Sequence, residues 1–330
     1  MSPTGFEQAL GLQDRTERLL AEGRQHDAEL CCRQAISLFE SLSGADSPDV
    51  ANLLNEMAEV LELQGRLGEA LVSASRSVSI MRDAAGRMED PCGYLILAQS
   101  LGMEGALLRR LGRYPEAEAR LKEALMTAET ALGEWDGETC VACNNLAVLY
   151  KYTGNFDEAE ALYRRALDIV ERGGTPGGGF WLATIWHNMG GLEHARGRAE
   201  IGEPYAMKAW ELRRAALGDE HPDTVADEAA LAGLLDALGR YESELIYRKA
   251  LAVFERLYGP DHYEIALNLN NLAAVKQATG NPEEAERLYR RALEMKERLL
   301  GLEHPEAALT ANNLALLVAA RKSASEESRA

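Results

Sequence analysis

The chain is 330 residues long, 46% hydrophobic and 27% charged, which excludes a disordered polymer and supplies apolar surface for a large folded body. Its 53 acidic residues outnumber 35 Lys and Arg, and the resulting net charge of -18 repels phosphate backbones and anionic bilayers. Nucleic acid and membrane surfaces are therefore excluded as partners, while a 6% aromatic content with abundant Ala, Leu, Glu and Arg predicts an all-α chain packed through small residues.

Helical periodicity starts near residue 6, breaks at Gly23 and resumes. The same break returns at Gly65, Gly112, Gly154, Gly197, Gly239 and Gly280, at spacings of 42, 47, 42, 43, 42 and 41 residues. A near-constant period of this length is the mark of a solenoid, in which each helix pair buries its apolar face against the next. The predicted pairs occupy 6–44, 48–86, 91–133, 138–173, 180–218, 222–259 and 263–301, followed by a closing helix over 305–321. Together they make a single solenoid over 1–320, and 322–330 reads as a disordered tail.

Small residues recur in register with the glycines. Five residues after them stand Ala28, Ala70, Ala117, Ala159, Gly202, Ser243 (one residue early) and Ala285. Ala35, Ser77, Ala124, Ala166, Ala209, Ala250 and Ala292 form a second row, and Ala58, Gly105, Ala147, Gly190, Ala232, Ala273 and Ala315 a third. Rows of this kind let helix axes approach to roughly 8–10 Å. Ser47-Pro48-Asp49, His221-Pro222-Asp223, Asp261-His262-Tyr263 and His304-Pro305-Glu306 restart the pattern, and helix entry explains their histidines better than catalysis does. Two connections depart from the rule, Gly86–Tyr94 and the glycine-rich 173–179, which reads as a hinge or a passive connector. Gly202 and Pro204 predict a late or bent second helix in the fifth pair.

Five cysteines, two of them adjacent, make a poor disulfide framework, and no leader is evident at Met1–Glu7, so a reduced, cytoplasmic setting is expected. Cys140 and Cys143 lack a second ligand pair at metal spacing and read as small packing residues; no metal or cofactor is expected.

Asn144-Asn-Leu-Ala-Val-Leu-Tyr through Leu167, and Asn270-Asn-Leu-Ala-Ala through Glu294 with Leu300-Gly-Leu-Glu-His-Pro305 after it, resemble the kinesin-light-chain type of tetratricopeptide repeat. The resemblance covers roughly residues 8–320. It implies a right-handed superhelix whose concave face, lined by the first helix of each pair, holds an extended peptide.

On that face the places ten residues before each glycine hold Gln13, Asn55, Gly102, Asn144, His187, Ala229 and Asn270, with Asn312 in the closing helix. An asparagine amide both donates and accepts, so it suits a peptide backbone; the other reading is a bond to a neighbouring helix. Relatives of the resembled family contact peptides with such asparagines. Further along the same face stand Glu17 and Glu59, one turn on, and Arg109, Lys151, His194, Asp236 and Gln277, two turns on, with Tyr152 beside Lys151. The face is expected to be acidic at its start, through Glu17, Glu59 and Glu62, and neutral to positive at its centre, through Arg109, Arg110, Lys151, His187 and His194. A partner carrying an acidic residue would suit that centre. Trp186 is expected in the core, whereas Phe180 and Trp181 either staple a helix or present an aromatic anchor, and they or the terminal helices offer a homodimer surface. The reading is a non-catalytic scaffold or adaptor for a peptide or protein partner, with a partner-responsive regulatory sensor as the alternative. Carboxylate pairs such as Asp157 and Glu158 sit with Arg164 and Arg165 at helical spacing, which speaks for solvated ion pairs and against an enzyme.

Overall fold

The computed structural model describes residues 4–87, 91–173, 177–240 and 243–327, where every regular element is helical. The chain divides after residue 176 into two compact units.

In the first unit, α1 (Gly5–Ala21) pairs with α2 (Gln25–Ser43), α3 (Pro48–Leu63) with α4 (Leu67–Ala84), α5 (Cys92–Arg110) with α6 (Tyr114–Ala131), and α7 (Gly137–Thr153) with α8 (Phe156–Glu171). In the second, α9 (Gly178–Ala195) pairs with α10 (Ala199–Leu217), α11 (Pro222–Ala237) with α12 (Glu244–Tyr258), and α13 (Tyr263–Ala278) with α14 (Pro282–Leu300). Helix α15 (Pro305–Glu327) packs on α14 and continues as helix beyond Arg321, where the sequence pattern fades. The second helix of each pair also packs on the first helix of the next pair in its unit. First helices touch their successors directly, α3 on α5 on α7, and α9 on α11 on α13.

The turn inside each pair is the same throughout. All seven glycines have φ between 71° and 81°, a region that L side chains avoid. In the fourth pair Asn155 N–H donates to Tyr150 O at 2.9 Å and Gly154 N–H to Lys151 O at 3.4 Å. This crossed pair of bonds satisfies the carbonyls left open at a helix C-terminus. The restart signals act as caps: the imidazoles of His221, His262 and His304 accept the N–H groups of Asp223, Glu264 and Glu306 at 3.3, 3.3 and 3.2 Å. Ser47 and Asp136 cap α3 and α7 through their side chains.

Ala28, Ala35, Ala58, Ala70, Ala117, Ala124, Ala147, Ala159, Ala166, Ala209, Ala232, Ala250, Ala273, Ala285 and Ala292 are all fully buried. Ala315 differs: it is exposed on α15. Between the small residues lie Phe39, Leu121, Tyr163, Tyr247 and Phe254, also fully covered or nearly so.

Gly202 and Pro204 do not delay the second helix of the fifth pair. Helix α10 begins at Ala199 and carries Pro204 inside it. Pro204 has no N–H to donate to the Glu200 carbonyl, so the helix runs through it at the loss of one interior hydrogen bond. Gly202 is needed because a Cβ there would lie 2.7 Å from Leu234 Cδ2 and 3.0 Å from Gly190 O. Of the irregular connections, Ala85–Arg87 forms a 3-10 turn and Gly177 takes φ 70° ahead of α9, while 88–90 and 174–176 lie outside the described residues.

Candidate functional site

The asparagine places ten residues before the glycines lie in the seam between consecutive first helices. Asn55 Nδ2 donates to Ser100 Oγ at 2.9 Å, from α3 to α5. His187 Nδ1 lies 2.7 Å from Asp227 Oδ1, from α9 to α11, and Asn270 Oδ1 accepts from Thr310 Oγ1 at 3.3 Å, from α13 to α15. Each contact joins this place on one first helix to the place two residues earlier in the repeat on the next. Asn144 is buried, with 6% of its surface exposed, and Asn145 beside it is the more open of the two. The reading in which these amides bond a neighbouring helix is therefore the one realised at Asn55 and Asn270, because the first helices run close enough for their side chains to meet. Asn312 on α15 is exposed.

A sequence signal for this seam existed and was missed. Ser100, Asp227, Asn268 and Thr310 place polar groups at one repeat position, and all four are at most 2% exposed. Buried polar side chains need partners, and the partner row was already in view. Where that row holds Ala229, Asn268 Oδ1 is left without a hydrogen bond.

Residues three before the glycines of the third to seventh pairs lie on the open face instead. Gly112, Gly154, Gly197, Gly239 and Gly280 N–H groups bond the carbonyls of Arg109, Lys151, His194, Asp236 and Gln277, which fixes those backbones at the helix end. In the first unit the Arg109 guanidinium sits 5.1 Å from the centre of the Tyr152 ring, and Lys151 Nζ 5.5 Å from it. Tyr152 is 40% exposed. Both cations lie within the range at which a ring quadrupole attracts positive charge. Arg110, expected on the same positive patch, pairs with Glu62 at 2.6 Å, so those two charges cancel. In the second unit His194 and Gln277 are exposed, whereas His187 is half-buried against Asp227.

The acidic end is also more structured than a row of solvated charges. Gln13 Nε2 donates to Glu56 Oε1, and Glu56 Oε2 is buried with no hydrogen-bond partner. Burial, with Glu17, Glu59 and Asp14 adding repulsion, pushes the Glu56 carboxyl from 4.5 up to about 7. Between those values the folded chain holds a proton that the unfolded chain has released, so stability falls as pH rises through that window. The urea midpoint of the first unit should therefore drop between pH 5.5 and pH 8, and Glu56→Gln should shrink the drop. An unchanged pH dependence in that variant would show that Glu56 titrates as an ordinary surface acid.

Cys140 and Cys143 are packing groups: both are fully buried, and burial pushes the Cys143 thiol up to about 12. Trp186 is half-buried, stacked on Tyr205 at 5.3 Å with Lys208 Nζ 4.5 Å above its ring centre. Phe180 is 50% exposed, meets Trp181 edge-on at 5.7 Å, and carries the Arg213 guanidinium at 5.0 Å.

Arg213 is the residue that the sequence pattern hid. On α10, with 9% of its side chain exposed, it donates through Nε to Asp227 Oδ2 at 2.7 Å and through Nη2 to Thr184 Oγ1 at 2.9 Å, and Nη1 reaches Asp223 Oδ2 at 3.2 Å. It thereby ties α9, α10 and α11 together beneath His187.

Helix pairs closed by a left-handed glycine, capped at their restarts and stacked through alanine rows define an α-helical repeat protein with a side-chain-lined face. The tetratricopeptide repeat family model matches residues 97–172, 181–247, 242–298 and 264–329, and the chain belongs to that family. Protein KINESIN LIGHT CHAIN-RELATED 2 of Arabidopsis thaliana is 24% identical over 262 residues, covering 76% of this chain and 38% of its own. The chain spans less than half the length of the curated relatives it matches. Among solved structures, BtubC (BKLC) from P. vanneervenii is 25% identical at a TM-score of 0.53, covering 71% of this chain and 92% of its own. The Rap conjugation gene regulator of the plasmid pLS20, solved in complex with the Phr* peptide, shares the fold at a TM-score of 0.61 and 15% identity, covering 88% of this chain and 74% of its own. No helix among the described residues is long and apolar enough to cross a membrane.

Proposed function

We propose that the chain is a non-catalytic scaffold of the cytoplasm that holds a peptide segment of a partner protein along its first-helix face, with an acidic residue of that peptide over Arg109, Lys151 and Tyr152. The observation that carries this reading is the pair of cations held on one half-exposed ring. A carboxylate arriving there meets positive charge that no carboxylate of the described residues has taken from Arg109. The acidic end at Glu17 and Glu59, and the net charge of -18, set the contrast that gives the patch its selectivity. A single charged contact on an open face contributes little, so affinity for a short peptide is expected in the micromolar range, about -8 kcal/mol. That a protein of the same fold is solved with a peptide agrees with this use of the face.

The test is selection of random dodecapeptides on the full chain. The wild type should enrich Asp and Glu, and Arg109→Glu with Lys151→Glu should reverse the enrichment and weaken the selected peptides by at least tenfold. Failure to select any peptide, or equal binding by the double variant, would sink the reading.

A second reading, in which a peptide changes the conformation of a regulatory sensor, is favoured by one observation. The division between the two compact units falls inside the glycine-rich 173–179 connector. The same selected peptides distinguish the two: a sensor changes its radius of gyration in solution scattering on binding, and a scaffold does not.

A further inference from the structure

Helix α15 stands in the place of a first helix, but one of its faces is open. On α13, one repeat earlier, Ala266 and Ala273 are fully buried, and Asn270 meets Thr310 across the seam. The places 42 residues on are Ala308, Ala315 and Asn312, and all three are exposed. Leu309 and Leu316 beside them are 59% and 61% exposed. Over 307–320 the helix carries no charged residue. Helix α13 has a similar uncharged run over 265–275, and there α11, α12, α14 and α15 lie against it. A helix that is apolar on every side is normally covered on every side, and contiguous exposed apolar patches mark contact surfaces.

The open face is ordered about Asn312. Ala308 and Leu309 stand four and three places before it, and Ala315 and Leu316 three and four places after it. In a second α15 lying antiparallel, with a twofold axis through Asn312, each residue faces the one equally far beyond the axis. Leu316 then meets Ala308 of the second copy, and Leu309 meets Ala315 of the second copy. Every large side chain falls opposite a small one, so the two rows interlock and the axes approach to roughly 8–10 Å. At the centre the Asn312 amide meets its own copy. An amide both donates and accepts, so the two satisfy each other. A twofold contact requires a surface complementary to itself, and this one is. Each copy also carries a net charge of -18, and a face without carboxylates is where two such chains meet at least electrostatic cost.

We infer that the open face of α15 is a homodimer interface, in which two copies of the helix pack antiparallel about Asn312. Each copy supplies the cover that the second helix of a pair gives to Ala266 and Ala273 on α13.

Sedimentation equilibrium of the full chain should show the mass rising with concentration from 36.1 kDa toward twice that value. One helix pair is a small interface, so the dissociation constant is expected on the order of 10 μM. Leu309→Glu and Leu316→Glu should each weaken association at least tenfold. Both positions are exposed, so far-ultraviolet circular dichroism should stay that of the wild type. Leu309→Glu combined with Ala315→Lys should restore the dimer, because the new acid of one copy faces the new base of the other. Six residues apart on one helix, the two cannot pair within a chain. Asn312→Cys in a Cys92→Ala background should cross-link on oxidation, since the axis brings its two copies together. Ser323→Cys in that background should not, because its copies lie roughly 30 Å apart. A monomer at every concentration, a dimer that Leu316→Glu leaves intact, a charge pair that fails to restore it, or equal cross-linking at both cysteines would overturn the assignment.

Discussion

Arg213→Ala should lower the stability of the second unit by about 3–5 kcal/mol, because it strands a buried carboxylate. Asp227 is 2% exposed, and Arg213 Nε is 2.7 Å from it. With the guanidinium gone, Asp227 keeps only His187, which is half-exposed and charged solely when protonated. Thr184 loses its bond to the guanidinium in the same step. The pair as a whole is a different matter: an apolar couple of similar volume often matches a buried ion pair. Arg213→Met with Asp227→Leu should therefore recover most of the loss. Urea unfolding followed by tryptophan emission suits the measurement, since Trp181, Trp186 and Trp210 all lie in the second unit. A single variant within about 1 kcal/mol of wild type would mean that water replaces the guanidinium and that the network is not closed.

Gly105→Val should destabilise the first unit by about 3 kcal/mol, the upper end for overpacking a filled core. A Cβ on Gly105 would lie 2.6 Å from Leu121 Cγ and 2.7 Å from Cδ2, and Leu121 is itself fully buried. The leucine branch point, rather than a mobile tip, is what must move, so α5 and α6 have to separate. Helix propensity works the other way, since replacing a mid-helix glycine by valine gains about 0.3–0.5 kcal/mol. That gain is smaller than the strain, so the net sign is unfavourable. Gly11→Ala isolates the opposing effect, because no atom lies within 4 Å of a Cβ there and the change should stabilise α1. Trp135 is the tryptophan of the first unit and reports its unfolding. Wild-type stability in Gly105→Val would show that the α5–α6 seam is looser than its geometry.

The fold was legible because its signals are local and repeated. A glycine at φ above 70°, an alanine row on each side of it and, at the restarts of α3, α7, α11, α13 and α15, a capping Ser, Asp or His recur with one period, so the repeats check one another. The fifth pair misled because Pro204 reads as a break when its own turn is considered alone. The contact that holds α10 in place comes from Leu234 on α11, far along the chain. The candidate site was legible only in part. Periodicity places Arg109, Lys151 and Gln277 on the first-helix face, but it does not tell a face from a seam when the two are separated by two turns of one helix. Asn55 and Asn270 fall in the seam, and so does His187. The pairing of Arg110 with Glu62 across two first helices was equally out of reach, since it joins two residues from separate repeats. Arg213 escaped because a basic residue in a second helix normally points to water.

The turn geometry has a consequence for how such an array acquires new ligands. At Arg109, Lys151, His194 and Gln277 the main-chain carbonyl is already satisfied by the turn glycine, and the Arg109 side chain meets the next repeat at the exposed ring of Tyr152. Exchanging these residues alters what the surface attracts while leaving the backbone bonds of the turn in place. Asn55, His187 and Asn270 have no such latitude, since each change there must be matched by its counterpart across the seam. Retargeting this protein is thus a problem of single replacements at one end of each hairpin and of coupled replacements in its middle.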